Sequence, residues 1–388
     1  MNIHLYVFHK TAAQYLYNTN ENEFFLIFCL HSQKKRCMVK VRKRLSKGAS
    51  AVVSVKDVAL RCGVSTATVS KALNGAPDIG EATRQRVIAA AQELGYTANA
   101  AARALKTNRT FNLGLLFSDL QNSGFMHEYF AATLNSFRAE AERCGYDITF
   151  ISPNIGQQNA SYLQHALYRG IDGVAIICAD FHDPLVQELV FSDIPVVTLD
   201  HAFNNRTAVM SDNMHGMESL VRHVYEKGHR RVAYIHGNQT AVTECRLTGF
   251  YRACEALGLE IPDEYVEACE YHEPISCHDA TLRLLALDPR PTCIFFPDDY
   301  AYIGGINAIS ELNLRVPEDV SVAAYDGIHM AMMVNPRLTT WHQNTTELGR
   351  TAAAKLIERI ERPRTTAPEH IVIEGSLLEG ETVADLNE

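Results

Sequence analysis

The stretch VSTATVSKALNG, residues 64–75, carries small hydroxyl and alanine side chains where a core helix would carry large apolar ones. Val69 and Leu73 lie four residues apart on one helical face and, with Val64 just before them, can hold a short helix against a core. The outward face is slim and polar, so the helix can approach a partner closely. The residues around this stretch indicate what that partner is.

The flanking sequence predicts two further helices, so that residues 54–96 form a three-helix unit. SVKD at 54–57 is a capping-box pattern that starts the first helix, and Gly63 permits a turn before Ser65 caps the second. The third helix covers EATRQRVIAAAQELGY (81–96). The predicted shared core consists of Val58, Val64, Val69, Leu73, Val87 and Leu94. Two short helices joined by a tight turn and braced by a third are typical of a helix-turn-helix head, whose second helix enters the DNA major groove.

The charge distribution separates the chain into a basic amino-terminal part and an acidic remainder. Residues 1–53 hold nine Lys or Arg against two acids, and residues 54–110 hold eight against four. Residues 111–388 hold nineteen against thirty-nine, so the 388-residue chain has a net charge of −9. One end is therefore expected to meet a polyanion such as duplex DNA.

Residues 1–53 show no sustained periodicity and are predicted to be a disordered basic extension. KKRCMVKVRKRLSKG (34–48) carries eight positive charges and no acid. Two further interpretations stay open: the segment lies upstream of a start at Met38, or it is an arm that contacts phosphates. The apolar run FFLIFCL (24–30) is too short to span a bilayer, and the basic cluster follows it rather than preceding it. We therefore reject a signal peptide and export.

Cysteine usage and motif content argue against secretion and against catalysis. Ten cysteines occur without any CxxC pair, mostly in apolar stretches such as VAIICAD, which favours buried thiols in a reducing cytoplasm over a disulfide framework. The sequence contains no HExxH, clustered Cys/His spacing, P-loop or GxSxG motif. The acidic pair at 298–299 has no nucleophile or base near it in the sequence. We expect no catalytic residues, no metal ligands and no cofactor.

From residue 111 onward, short apolar runs alternate with helical stretches. FNLGLLF, DGVAIICA, IPVVTLD and VSVAAYD have the continuous apolar character of strands covered on both faces. Their alternation with helices predicts doubly wound parallel sheets, with room for two sheets and a ligand cleft between them. The preceding segment NAAARALKTNRT (99–110) offers only about eight helical residues, and so short a helix is marginal in water without a partner.

Residues 54–110 resemble the DNA-binding head and hinge of LacI-type transcriptional regulators, the family of the lac and purine repressors. The motifs GLLFSD, YRGIDGVAII, EKGHRRVAYIHG, RLTGFYRACEALGL, LRVPEDVSVAAYDG and LTTWHQ occur in the order and spacing of that family, and the match covers residues 54–380. The resemblance implies a helix-turn-helix head at 54–98 that is all-α, and a hinge helix and linker at 99–110. It implies an α/β periplasmic-binding-protein-like body of two doubly wound parallel-sheet subdomains at 111–388.

The resemblance also implies a ligand-responsive, sequence-specific repressor of genes for sugars or related metabolites. Such a regulator binds a near-palindromic duplex operator as a homodimer, one head per half-site. The residues expected by position to read bases are Thr66, Ala67 and Lys71, and those expected at the phosphates are Ser65, Thr68, Ser70 and Asn74. Lys71 is the expected donor to guanine, and Ala67 offers an apolar contact.

In the hinge, Leu105 matches a family leucine that wedges into the minor groove and kinks the operator. Arg103 and Lys106 would flank that groove. An ordinary anchor to the body is the alternative for Leu105. The sequence has no clear C-terminal leucine heptads, which favours a dimer over a tetramer. An exported solute-binding protein would explain the body but not the head, so we expect a cytoplasmic protein without a membrane partner.

The family's small-molecule effector sits between the two subdomains of the body. The residues expected by position to bind the effector are Phe125, Arg246, His272, Asp299 and Asp326. A guanidinium fork opposite a carboxylate suits a polyhydroxylated ligand, so a sugar or sugar derivative is the first expectation and a nucleoside or purine the second. Structural ion pairing is the alternative for Arg246 and Asp326, and an ordinary loop position is the alternative for His272. The chain reads NSGF at 122–125 where members commonly have Asn-Pro-Phe, which leaves the ligand's shape open.

Overall fold

The computed structural model divides the chain into two compact units, Met1–Asn99 and Ala100–Glu388. The residues it describes are 53–73, 75–96, 104, 109–118 and 126–387, together with the backbone of four short strands before residue 42. The domain boundaries drawn from the sequence at residues 53, 98 and 110 stay predictions.

Four strands near the amino terminus pair in sequence order as an antiparallel sheet. They are β1 (Ile3–Tyr6), β2 (Ala13–Asn18), β3 (Glu23–Phe28) and β4 (Cys37–Val41). These strands lie within residues 1–53, whose interpretation as a basic extension stays a prediction.

Three helices form the head, as the sequence predicts. They are α1 (Val55–Cys62), α2 (Thr66–Leu73) and α3 (Glu81–Leu94). At the start of α1, the backbone N–H and hydroxyl of Ser54 donate to the Asp57 carboxylate at 2.8 and 2.7 Å. Gly63 ends α1 with a φ of 65°, a left-handed conformation that glycine adopts without strain. Ser65 Oγ then accepts the Thr68 N–H at 3.0 Å and caps α2.

The core of the head comprises the residues that the sequence predicts for it. Val58, Val69 and Val87 are fully buried, and Val64, Leu73 and Leu94 pack against them in partly buried positions. An ion pair between Arg61 on α1 and Glu93 on α3, at 3.0 Å, adds a contact across the exposed edge. Because α2 turns its apolar side towards this core, its opposite side is presented to solvent.

Replacing Val58 by Ala is expected to destabilise the head by about 2 kcal/mol, because it removes two methyl groups from a fully buried position. The backbone amides of α1–α3 should then exchange with solvent about 30-fold faster in the full-length protein, as measured by mass spectrometry. Leu60→Ala is the matched control, since Leu60 lies in the same helix and is 87% exposed. Equal exchange rates in the two variants would contradict the assigned core.

The larger unit is a body of alternating strands and helices. Its first part contains β5 (Asn112–Phe117), α4 (Glu128–Arg143), β6 (Asp147–Phe150), β7 (Asn154–Ile155), β8 (Gln158–Asn159), α5 (Tyr162–Arg169), β9 (Gly173–Cys178), α6 (Pro184–Val190), β10 (Val196–Leu199) and β11 (Thr207–Ser211). The second part contains α7 (Asn213–Glu226), β12 (Val232–His236), α8 (Ala241–Ala256), β13 (Val266–Ala268), α9 (Pro274–Leu285), β14 (Cys293–Phe295), α10 (Ala301–Glu311), β15 (Ser321–Asp326), α11 (His329–Met333) and β16 (Thr339–His342). The chain ends with α12 (Thr345–Glu361), β17 (His370–Ile373) and β18 (Ser376–Leu378).

Two six-stranded sheets organise the body into two lobes. The first sheet has the order β17-β11-β10-β9-β5-β6 with all neighbours parallel, and the second has the order β13-β12-β14-β15-β16-β18 with only β18 antiparallel. Both faces of the first sheet are covered: Leu115 belongs to one buried cluster and Leu116 to another. The predicted pair of doubly wound parallel sheets is confirmed.

Helix α12 completes the first lobe although most of the second lobe precedes it in the chain. Its Leu348, Leu356 and Ile360 are buried in the same cluster as Phe137 of α4. Gly349 permits the close approach of the two helices, since a Cβ at this position would lie 2.2 Å from the Thr133 carbonyl oxygen. Each lobe is therefore built from separate segments of the chain.

Three short connections cross between the lobes: β11 to α7, β16 to α12, and β17 to β18. Hydrogen bonds join these crossings to one another. The Asp212 N–H donates to the Ile373 carbonyl oxygen at 3.1 Å, which links the first crossing to the third. The Ser211 hydroxyl donates to Gln343 Oε1, which links the first to the second. The crossings thus form one connected region.

In the part of the chain that the structure describes, no helix is both long and apolar enough to cross a membrane. No disulfide joins the cysteines of this part, and Cys254, Cys269, Cys277 and Cys293 are buried thiols.

Candidate functional site

A cavity of about 440 Å³ lies between the two lobes of the body. Its wall comes from both lobes: Tyr129, Phe130 and Asp200 contribute from the first, and Arg246 and Asp326 contribute from the second. Most of the lining follows the carboxyl ends of parallel strands, where open α/β sheets bind ligands. The volume falls within the range of small-molecule sites, about 300–1,000 Å³.

Arg246 of α8 is the buried cation of the cavity wall. Its Nε donates to Asn213 Oδ1 and its Nη1 to the Pro297 carbonyl oxygen, both at 2.8 Å. The guanidinium carbon lies 3.6 Å from the centre of the Tyr325 ring, and Nη2 lies 3.8 Å from Asp326 Oδ1. Burial by itself would lower the pKa of Arg246, but the neighbouring tyrosines and Asp326 raise it above its ordinary value. The group is therefore a permanent charge with a fixed orientation.

Asp326 supplies a carboxylate next to this cation. It ends β15 with a φ of 106°, and its Oδ1 accepts Gln343 Nε2–H at 2.6 Å. Burial raises the pKa of Asp326 to about 6, against the opposing effect of Arg246. A guanidinium and a carboxylate thus face the cavity side by side, as the sequence predicts for Arg246 and Asp326.

Asp299, predicted to bind the effector, is not among the residues that line the cavity. Its side chain is fully buried, where its two oxygens accept the Ile328 N–H at 2.8 Å and the Thr340 hydroxyl at 2.7 Å. These two donors hold the carboxyl group in the interior of the second lobe. The structure thus places Asp299 in the interior rather than on the cavity wall, and Phe125 lies outside the described residues.

His272 lines the cavity as predicted and contacts Asp298 and His127, neither of which was predicted to belong to the site. Its backbone N–H donates to Asp298 Oδ2 at 2.9 Å, and its ring centre lies 3.8 Å from that of His127. Burial opposes the charge on Asp298, but the hydrogen bonds and the charge of His272 hold its pKa at about 2. His127 comes from the first lobe, whereas His272 and Asp298 come from the second.

Aromatic side chains of the first lobe form a further part of the wall that the sequence did not reveal. Phe181 and His201 stack with ring centres 4.2 Å apart and planes within 9°, and Phe130 lies on the same cavity. Tyr129 Oη donates to Asp200 Oδ2 at 2.9 Å. Asp200 is the last residue of the predicted strand IPVVTLD and directly follows β10, so the strand-end rule applied there would have found it. No such signal marks the aromatic residues.

The head presents the predicted DNA-reading residues on one side of α2. Ser65, Thr66, Ala67 and Lys71 are exposed, and Thr68 and Ser70 are half-buried. Lys71 Nζ contacts the Asp78 carboxylate. The predicted contacts that fall outside the described residues are Asn74, Arg103, Leu105 and Lys106.

A helix-turn-helix head in one chain with a two-lobed ligand-binding body defines a ligand-responsive DNA-binding regulator. The family model described as "Bacterial regulatory proteins, lacI family" matches residues 54–99, and the "Periplasmic binding protein-like domain" model matches residues 221–383. The chain is 34% identical over 341 residues to the HTH-type transcriptional repressor PurR of Escherichia fergusonii, over 86% of this chain and 98% of that protein. It belongs to the LacI family of bacterial regulatory proteins, and it is a transcriptional regulator rather than an enzyme.

Solved structures resemble the chain over a similar extent. A complex of the transcriptional regulator CelR with cellobiose is 28% identical, with a TM-score of 0.63 over 85% of this chain and 99% of that one. The lac repressor dimer bound to operator and the anti-inducer ONPF is 22% identical, with a TM-score of 0.70 over 86% of this chain and 99% of that one. At 22% identity, the similarity to the lac repressor supports the fold alone.

Replacing Asp299 by Ala is expected to lower the stability of the second lobe by about 3 kcal/mol, because two buried donors lose their acceptor. Urea unfolding can be followed by the fluorescence of Trp341, the single tryptophan, which is buried in that lobe. Asp279→Ala is the control, since this carboxylate is 63% exposed and its removal should change stability by less than about 0.5 kcal/mol. A stable Asp299→Ala protein would refute the structural role.

Proposed function

We propose that the chain is a repressor that binds a near-palindromic duplex operator as a homodimer. Its affinity for DNA is set by a small polyhydroxylated metabolite held in the cavity between the lobes. The observation that carries this proposal is the juxtaposition of Arg246 and Asp326 on a cavity in the same chain as a helix-turn-helix head.

A sugar or sugar derivative is the first candidate for the effector. Arg246 offers N–H donors, the Asp326 carboxylate accepts, and the side-chain amide of Asn238 on the same cavity adds further N–H donors. Aromatic rings such as Phe130 give an apolar wall against which a sugar ring can pack. The cellobiose complex of CelR, at 28% identity, supports this class.

A purine or nucleoside is the second candidate. The observation that favours it is the 34% identity to PurR over nearly that whole protein. The stacked pair Phe181 and His201 and the ring of Phe130 offer flat surfaces that suit a planar base. Asp326, with a pKa of about 6, can accept from or donate to a ring nitrogen near neutral pH.

We assign base reading to Thr66, Ala67 and Lys71, which lie exposed on α2. Short side chains at the first two positions let the backbone approach base edges, and Lys71 can donate to guanine once DNA displaces Asp78. The proposed phosphate and minor-groove contacts comprise Ser65, Thr68, Ser70, Asn74, Arg103, Leu105 and Lys106. A two-fold symmetric dimer matches a two-fold symmetric operator, as in the lac repressor dimer on its operator. Because the proposed target is chromosomal DNA, we place the regulator in the cytoplasm.

The proposed switch runs from the cavity to the crossings between the lobes. Asp326 holds Gln343, and Gln343 in turn accepts from Ser211 on the first crossing. A ligand that engages Asp326 therefore acts on the region where the two lobes are connected. A change in the angle between the lobes would alter the spacing of the paired hinges in the dimer, and hence operator affinity.

The wild-type protein can first select its preferred duplex from a random library. Replacing Lys71 by Ala is expected to lower the affinity for that duplex about 10–100-fold, because a guanine contact is lost. Binding to unselected duplex should weaken less, and wild-type affinity should fall steeply with salt through counterion release. Fluorescence anisotropy at several salt concentrations measures both. Arg138→Ala is the control: it removes an exposed cation of the body and should change neither affinity. Equal losses on both duplexes would rule out base reading by Lys71.

Ligand binding should depend on Arg246. In a thermal-shift screen of sugars and purines, the hit should bind Arg246→Lys at least about tenfold more weakly, since lysine lacks the planar fork. Arg252→Lys is the matched control, because Arg252 lies exposed on the same helix. The hit must also change operator affinity, and operator must change the affinity for the hit by the same factor. A verified ligand that leaves operator affinity unchanged would overturn the switch.

A further inference from the structure

His127, His272 and Asp298 bring three metal-ligating side chains together at the edge of the cavity. One nitrogen of each histidine and one oxygen of the carboxylate all lie within 4.8 Å of one another. His127 immediately precedes α4 in the first lobe, His272 follows β13, and Asp298 follows β14 in the second. No sequence motif predicts this cluster, because its members lie far apart in the chain.

We propose that these three side chains form a binding site for a divalent transition-metal ion, Zn²⁺ by the chemistry of its donors. Two imidazole nitrogens and a carboxylate oxygen are a donor set that Zn²⁺ takes in proteins, at about 2.0–2.2 Å from each ligand. Such bonds in a tetrahedral site place the donor atoms about 3.4 Å apart. Because the donor atoms lie within 4.8 Å of one another, inward shifts of about one ångström or less at each bring the cluster to that spacing.

The surroundings fix two of the donors from outside the site. Asp298 Oδ1 accepts the N–H groups of Tyr300 and Ala301 at 2.9 and 2.8 Å, which leaves Oδ2 directed towards His272. His272 has a φ of 59°, a left-handed backbone conformation. A residue other than glycine adopts it only when its surroundings hold it there. Hydrogen bonds that orient ligating side chains are a regular part of metal sites.

The charge balance around the cluster also suits a dication. The carboxylates of Asp298 and Asp326 lie beside it, with Asp326 Oδ2 3.9 Å from His127 Nε2, and Arg246 is the facing cation. His127 and both carboxylates are at least 95% buried, and buried negative charge requires compensation.

The ion would join the two lobes and face the ligand. At the same edge, the His329 N–H of the second lobe donates to Glu128 Oε1 of the first at 2.8 Å, so the lobes already meet there. Three protein ligands leave a fourth position open, and His272 and Asp326 both line the cavity. That position can take Asp326 or a hydroxyl or ring nitrogen of the effector. The inference goes beyond the proposed function and depends on neither the effector's identity nor DNA binding.

The test is a titration of the full-length, chelator-treated protein with ZnCl₂ by calorimetry, and with CoCl₂ by visible absorption. We expect one ion per chain and the ligand-field bands of a four- or five-coordinate cobalt site. His272→Ala and Asp298→Asn should each weaken zinc binding at least about 100-fold. His127→Gln should do the same, and because it changes the other lobe it gives an independent readout if one variant folds poorly.

His278→Ala is the control for adventitious binding. His278 pairs with Asp279 and Glu311 in the same lobe, at 3.2 and 3.0 Å, and so offers a histidine and two carboxylates away from the cluster. Zinc affinity should stay within about twofold of wild type in this variant. Zinc binding that is lost with His278, that survives His272→Ala and His127→Gln, or that is absent altogether would overturn the site. Operator and effector binding would be unaffected by such a result.

Discussion

The body depends on the burial of one guanidinium, that of Arg246. A buried charge destabilises a fold unless its hydrogen bonds are satisfied, and here the partners are Asn213 and the carbonyl oxygen of Pro297. The ring of Tyr325 covers the guanidinium face. The remaining nitrogen lies near Asp326 at the cavity. Arg246 therefore contacts residues of α7 and β15 and Pro297 just after β14, and it also presents its charge to a ligand. The cavity cannot change shape independently of the lobe.

Much of the fold could be predicted because its signals are local. VSVAAYD became β15, and the small residues between Val64 and Leu73 became α2. The edge strands β13 and β18 escaped prediction because they are three residues long and are extended only through pairing with β12 and β16. The placement of β17 beside β11 likewise depends on contacts between residues far apart in the chain. Such pairings are tertiary, and no short window of sequence contains them.

The candidate site was predictable where it follows strand ends, and less so elsewhere. Asp326 and His272 lie on the cavity, whereas Asp299 is held in the interior of the lobe by the Ile328 N–H and the Thr340 hydroxyl. The sequence cannot tell which residues at a strand end face the cleft, since the local turn decides their direction. Phe130 was missed for a related reason: the face that a helix shows to a cavity is set by its packing, not by its composition.

The interleaved construction of the lobes has a consequence for synthesis on the ribosome. The head is contiguous, so it can fold as soon as its helices emerge. The first lobe cannot, because α12 and β17 supply part of its core and one edge of its sheet, and both are translated after residue 344. A nascent or truncated chain thus carries a complete helix-turn-helix before it carries a metabolite sensor. Only the nearly finished polypeptide can be regulated.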